Sequence, residues 1–193
     1  MLKILEIGIF SLFFCVFAFA RTYVLENQNQ LVDKTEGFIE ILSDEVYEKT
    51  GVSLYVVALE NLGGKSIQEQ EHFFTQNLKF PYALLFFTQL EKKINIITSP
   101  EVERMFDKKE VYWDYIVPLI PQSDKELTQQ NISAFLLNGF VDIADRIATY
   151  HNVELEHSFP KQNKGVEIAV RTLLYAMLFI MLLLFLFVHL RKK

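Results

Sequence analysis

The chain has 193 residues, one cysteine, 51% hydrophobic residues and a formal net charge of −5. That length supports one domain with a proper core, and the acidic balance argues against a nucleic-acid binder. A lone cysteine excludes a disulfide framework within the chain.

Residues 1–20 carry Lys3, an apolar run from Ile7 to Ala20 and a terminal Ala18-Phe19-Ala20, the pattern of a secretory signal peptide cleaved after Ala20. Glu6 and the bulky Phe17 and Phe19 leave an uncleaved anchor as the alternative. Cys15 follows Phe14 rather than a small residue, which argues against lipidation. It lies inside the signal segment, so the exported chain would hold no thiol.

A short extended piece around Tyr23 to Leu25 leads into the polar loop Glu26 to Gln30. From Leu31, apolar residues Phe38, Ile41, Leu42 and Val46 recur at helical spacing, and Gly51 stops the helix. Ser53 to Leu59 is β-branched and apolar throughout, the composition of a central strand. After the turn at Gly63-Gly64, Ser66 caps a second helix reaching about Leu78. Tyr82 to Thr88 and Lys93 to Ile97 then read as a β-hairpin turning through Gln89, Leu90 and Glu91, its first strand buried on both faces and its second half exposed.

Ser99-Pro100-Glu101 is a helix start, with an N-cap residue followed by proline. Val111 to Ile120 is dense in apolar residues at helical spacing, which favours Trp113 as a core aromatic over the alternative of an exposed recognition residue, and Pro118 and Pro121 should kink and end the segment. Thr128 to Tyr150 is a long amphipathic helix with Ile132, Phe135, Leu136, Phe140, Ile143 and Ile147 on one stripe and Gly139 allowing close packing. Residues 151–166 are polar and read as a juxtamembrane linker; His151 and His157 within it are poorly preorganised for a metal.

Residues 172–190 contain no charged side chain and are long enough to span a bilayer, and Arg191-Lys192-Lys193 follows at once. The expected span is 167–190, with residues 191–193 as a cytoplasmic tail. The main domain would then lie on the periplasmic side of the inner (cytoplasmic) membrane, held by one C-terminal helix. Residues 21–166 hold 14 Lys plus Arg against 22 Asp plus Glu, a charge near −8 that permits cation binding.

The order of elements gives an α/β fold: a small mixed β-sheet with a βαββ core, helices on both faces, and a C-terminal transmembrane helix. Lys49-Thr50-Gly51-Val52-Ser53-Leu54-Tyr55-Val56-Val57, Leu62-Gly63, Leu84-Leu85-Phe86-Phe87 and Glu91-Lys92-Lys93-Ile94-Asn95-Ile96 together resemble the TPM domain family, and Phe135 to Ile147 is similar to its last helix. The resemblance covers about residues 22–150. That family occurs in exported or membrane-tethered proteins, among them a thylakoid-lumen photosystem II repair factor.

The resemblance implies an acidic cleft at one sheet edge that binds a divalent cation such as Ca²⁺ in some members, and weak acid phosphatase activity in some. Carried over position by position, it implies Glu26, Glu91, Glu103 and Asp107 as metal ligands. Phe80-Pro81-Tyr82-Ala83 and Ser99-Pro100-Glu101 stand where the family has glycine-rich approaches, and Pro100 removes an amide donor. The expected function is therefore a non-catalytic interaction, assembly or repair domain for another envelope protein. The alternative is a weak metal-dependent acid phosphatase using the same four carboxylates.

Overall fold

The computed structural model describes residues 22–159 and 172–182. The expected signal peptide, the later part of the linker and both margins of the expected membrane span lie outside these residues.

Four strands form one mixed sheet in the order β1 (Val24–Asn27), β2 (Ser53–Leu59), β3 (Tyr82–Thr88), β4 (Lys93–Thr98). β1 and β3 both pair parallel to β2, and β4 closes antiparallel on β3. The βαββ expectation was thus one strand short. The sequence marks β1 only as a short extended piece around Tyr23 to Leu25, because its four residues carry no periodicity that assigns them to the sheet. A tertiary contact pins it: the Glu40 carboxylate accepts the main-chain N–H groups of Tyr23 at 2.9 Å and Val24 at 2.8 Å. Tyr23 itself is fully buried and donates its hydroxyl to Asp44 at 2.9 Å.

Helix α1 (Asp33–Thr50) connects β1 to β2 and ends where Gly51 takes φ 75°, a left-handed cap whose N–H reaches Tyr47 O. Only glycine enters that region without a steric cost. Its buried stripe runs through Ile39, Leu42 and Val46, and Ile41 faces solvent instead. Helix α2 (Ile67–Thr75) opens with a capping box in which Ser66 and Glu69 satisfy each other's main-chain N–H groups. It ends at Thr75, one turn short of the expected Leu78.

α1 packs on the sheet face that presents Leu54, Val56, Ala58, Ala83, Leu85 and Phe87. α2 packs on the other, with Ile67 and Phe74 against Val57, Leu59, Leu84 and Phe86. The chain steps from β1 to β2 to β3 in one direction along parallel strands, yet its connecting helices take opposite faces. The two crossovers therefore have opposite hands, and one of them is left-handed, an arrangement found in about 2% of such units.

After β4 the chain makes a single 3-10 turn (Val102–Arg104) where a helix was expected. A short α3 (Lys108–Glu110) then runs into a π-helical segment, Val111–Ile116. This segment corrects the placement of Trp113, which is 61% exposed. A π-helix closes i→i+5 and has a wider turn than an α-helix, which brings residues five apart closer to one face. Val111 and Ile116 obey that period and are fully buried, which turns Trp113 outward. The last helix, α4 (Gln129–Tyr150), buries the expected stripe, and Phe135 meets Phe87 edge to face with centroids 5.5 Å apart. Fully burying a side chain of that size contributes up to about 3 kcal/mol.

The compact unit that contains the sheet runs to Ser158, so it takes in the first part of the expected linker. A second unit begins at Phe159, and its described residues include a helix over 172–182 whose side chains are all exposed. Among the described residues, no helix is long and apolar enough to cross a membrane.

Candidate functional site

In sheets with parallel strands, ligand sites gather beyond the carboxyl ends of the strands. Here that edge is made by the loop after β1, the loop after β2 and the hairpin turn after β3, and hydrogen bonds zip the three together. Gln28 N–H reaches Ala58 O at 2.9 Å, and Gln28 Oε1 accepts Glu60 N–H at 3.0 Å. Leu90 N–H reaches Glu60 O at 2.9 Å, and Gln89 Nε2 donates to Leu127 O at 3.1 Å.

Glu91 is the carboxylate at the centre of this edge. Its Oε1 accepts Leu62 N–H at 3.2 Å, and its Oε2 accepts the hydroxyl of the buried Thr88. The Thr88 hydroxyl, with help from the Leu62 amide and against some desolvation, holds the Glu91 carboxyl below the usual carboxylate range. Glu26 lies on β1 opposite Val57 and is exposed. β2 stands between it and β3, so about 10 Å of sheet separates the strands that carry Glu26 and lead to Glu91.

Glu103 and Asp107 are elsewhere. β4 runs back antiparallel, with Lys93 opposite Thr88 and Thr98 opposite Ala83, so the stretch that directly follows Thr98 lies at the amino edge of β2 and β3, where Lys108 Nζ also reaches Thr98 Oγ1. Lys93 to Thr98 alone accounts for about 17 Å of strand. At that far edge Glu103 pairs with Lys108 at 3.0 Å, and Asp107 accepts Lys109 N–H at 2.8 Å to cap α3. The four candidate ligands thus divide two and two between opposite edges. Among the described residues, no group of three or more His, Cys, Asp and Glu side chains is arranged to hold a metal ion.

The most heavily bonded carboxylate was not a sequence candidate. Glu45 on α1 is almost fully buried and accepts Lys49 Nζ at 2.8 Å, His157 N–H at 2.9 Å, His157 Nδ1 at 2.8 Å and the Glu156 N–H. Burial alone would raise its pKa, but the Lys49 bond and the three from Glu156 and His157 bring it down to about 2. Lys49 also donates to Glu154 O at 2.9 Å, and Ser158 donates to Asp145. Residues 154–158 are therefore strapped along α1 and α4. The Glu45–Lys49 spacing is readable in the sequence as an i,i+4 pair; its partners more than a hundred residues away are not.

Fold and edge define the class: an α/β domain with a four-stranded mixed sheet, helices on both faces and hydrogen-bonded loops at the carboxyl edge. That fold is similar to the N-terminal domain of a protein from P. gingivalis, with a TM-score of 0.56 and 13% identity over 72% of this chain and 90% of that one. Two other bacterial domains show a weaker likeness. The N-terminal domain of the cg2496 protein of Corynebacterium glutamicum has a TM-score of 0.48 at 13% identity, covering 76% of this chain and 91% of that one. The BA42 protein of Bizionia argentinensis has a TM-score of 0.44 at 14% identity, covering 67% and 93%. No protein-family model and no curated protein matches the sequence. At 13% identity the first likeness establishes a shared fold and carries no activity with it.

Proposed function

We propose that this chain is a membrane-tethered, extracytoplasmic TPM-like domain that serves a partner protein of the envelope as a non-catalytic interaction or assembly module. The local patterns around Lys49 to Val57 and Glu91 to Ile96 support the TPM-like reading, and the uncharged stretch at 172–190 supports the tether. The observation that carries the interaction reading is the commitment of the candidate ligands. Glu91, Glu103 and Asp107 each hold a structural partner, and two of the four candidates stand at the opposite edge from the other two. Such a set favours a scaffold for loops over a shared cation site. Trp113, exposed on the π-helical segment beside Tyr112, is the first position to test for contact with the partner, since aromatic side chains are enriched where proteins bind one another.

The test is a photo-crosslinking amino acid placed at position 113 of the full chain in native membranes. A discrete adduct with one envelope protein, absent when the label is moved to Glu126, is the expected result. Equal, diffuse labelling from both positions would overturn the reading. Calcium added to the full chain in detergent supplies an independent arm: a saturable rise in melting temperature, lost in both Glu91→Gln and Glu26→Gln, would favour the cation-binding alternative.

A further inference from the structure

The amino edge of the sheet gathers the places where the chain enters and leaves the domain. α1 and α4 run side by side in the same sense: Val32 N–H bonds Ser133 Oγ at their starts, and Lys49 bonds Glu154 O beyond their ends. Both helices finish at the amino edge, where Ser53 N–H meets Pro81 O at 2.9 Å. The exiting segment, residues 154–158, is clamped there by Glu45. The entry, Tyr23, is level with β2 near Tyr55, since Val56 N–H bonds Tyr23 O, only about 7 Å above the Ser53 end. Glu40 and Glu45 are five residues apart on α1, a rise of about 7.5 Å, so one stretch of helix fixes both points.

The same edge is rich in exposed rings beside lysines. Phe80, just before β3, is 59% exposed and Tyr150, at the end of α4, is 53% exposed. Lys79 lies over the Tyr47 ring, 4.4 Å from its centroid. Aromatic residues and lysines of this kind settle at the boundary between headgroups and water.

We infer that this amino edge, with Phe80 and Tyr150 as its leading residues, rests against the lipid headgroups of the membrane that tethers the chain. The inference builds on the tethered reading above and adds an orientation to it. Orientation does not follow from tethering alone, because residues 160–171 would reach about 40 Å if extended. The contact is aromatic rather than electrostatic: Glu48, Glu101 and Glu103 on this edge offset its lysines, so it should form on a zwitterionic bilayer. The carboxyl edge, with Leu90 at its hairpin tip and 72% exposed, then faces away from the membrane.

The chain's single tryptophan makes the orientation measurable. The full chain is reconstituted into phosphatidylcholine vesicles as Trp113→Phe carrying Phe80→Trp, Tyr150→Trp or Leu90→Trp, with a headgroup spin-labelled phosphatidylcholine as quencher. The two amino-edge tryptophans are expected to be quenched at least threefold more than the one at position 90. All three replaced side chains are exposed, and using two amino-edge positions guards against one local distortion. Equal quenching at all three positions, or stronger quenching at 90, overturns the orientation. Co-flotation of the protein with the vesicles is measured first: a chain that does not float overturns the tethered reading and the orientation together, whereas a floating chain with equal quenching overturns the orientation alone.

Discussion

The Glu45 carboxylate accepts both N–H groups of His157, the main-chain one at 2.9 Å and ring Nδ1 at 2.8 Å. A carboxylate that stays ionised far below neutral pH requires a donor at Nδ1, so the proton of the neutral ring sits on that nitrogen. Four hydrogen bonds converge on this one side chain from Lys49, Glu156 and His157. Replacing it with Gln puts an amide in a site built only of donors. Glu45→Gln should therefore free residues 154–158: amide exchange at Glu156 and His157 should rise at least tenfold in hydrogen-exchange NMR, and exchange in the middle of α4 should stay within twofold. The cost to stability is about 1–3 kcal/mol, the usual penalty for a buried group left mispaired.

Acid should undo the same clamp, and the sign is fixed. The folded pKa of Glu45 is depressed from 4.5 to about 2, so its contribution is complete above about 4.5 and fades as pH falls toward 2. Between those values wild-type stability should decline faster than that of Glu45→Gln, measured by urea unfolding at a series of pH values. Parallel curves for the two proteins through that window would contradict the assignment.

Gly139 is a packing requirement. A Cβ at this position would stand 2.4 Å from Ile116 Cγ1 and 2.6 Å from Cδ1, and Ile116 is fully buried with little room to yield. Gly139→Ala should lose about 1–3 kcal/mol to overpacking despite alanine's better helix propensity. Trimming the neighbour in Gly139→Ala/Ile116→Val should recover part of that loss, read as a non-additive double-mutant cycle in thermal unfolding.

Glu91 and Glu103 should behave as strangers. Glu91→Gln weakens the acceptor for Thr88 and Leu62 and should lower the melting temperature measurably. Glu103→Gln removes only an exposed ion pair with Lys108 and should fall within about 0.5 kcal/mol of wild type. The double variant should equal the sum within about 0.5 kcal/mol, because the two side chains share no partner. A coupling above 1 kcal/mol would show that they act on one site.

Local chemistry was the legible part of the sequence. Ser66 with Glu69, Gly51 after α1, the apolar run of β3 and the stripe of α4 each announce their structure within a few residues, and the molecule follows them. β1 showed only as an extended piece around Tyr23 to Leu25, and its place in the sheet was hidden because four residues held by Glu40 carry no pattern of their own. Trp113 was misplaced because a π-helical segment has a different period from the α-helix assumed for it. The strap at Glu45 joins residues too far apart in sequence for any local signal. The division of the four candidate carboxylates was within reach: once residues 82–97 are read as a hairpin, Glu91 at its turn and Glu103 beyond its second strand must lie at opposite edges.

The unequal hands of the two crossovers decide how a short chain can shelter a sheet. Had both connections turned the same way, α1 and α2 would have crowded one side and left Val57, Leu84 and Phe86 open to water. One reversal of chirality gives each side a roof from the first two helices, before the hairpin is complete. The later helix α4 is then free to thicken one layer, and it is this thickened layer, α1 beside α4, that carries the clamps on the incoming and outgoing chain.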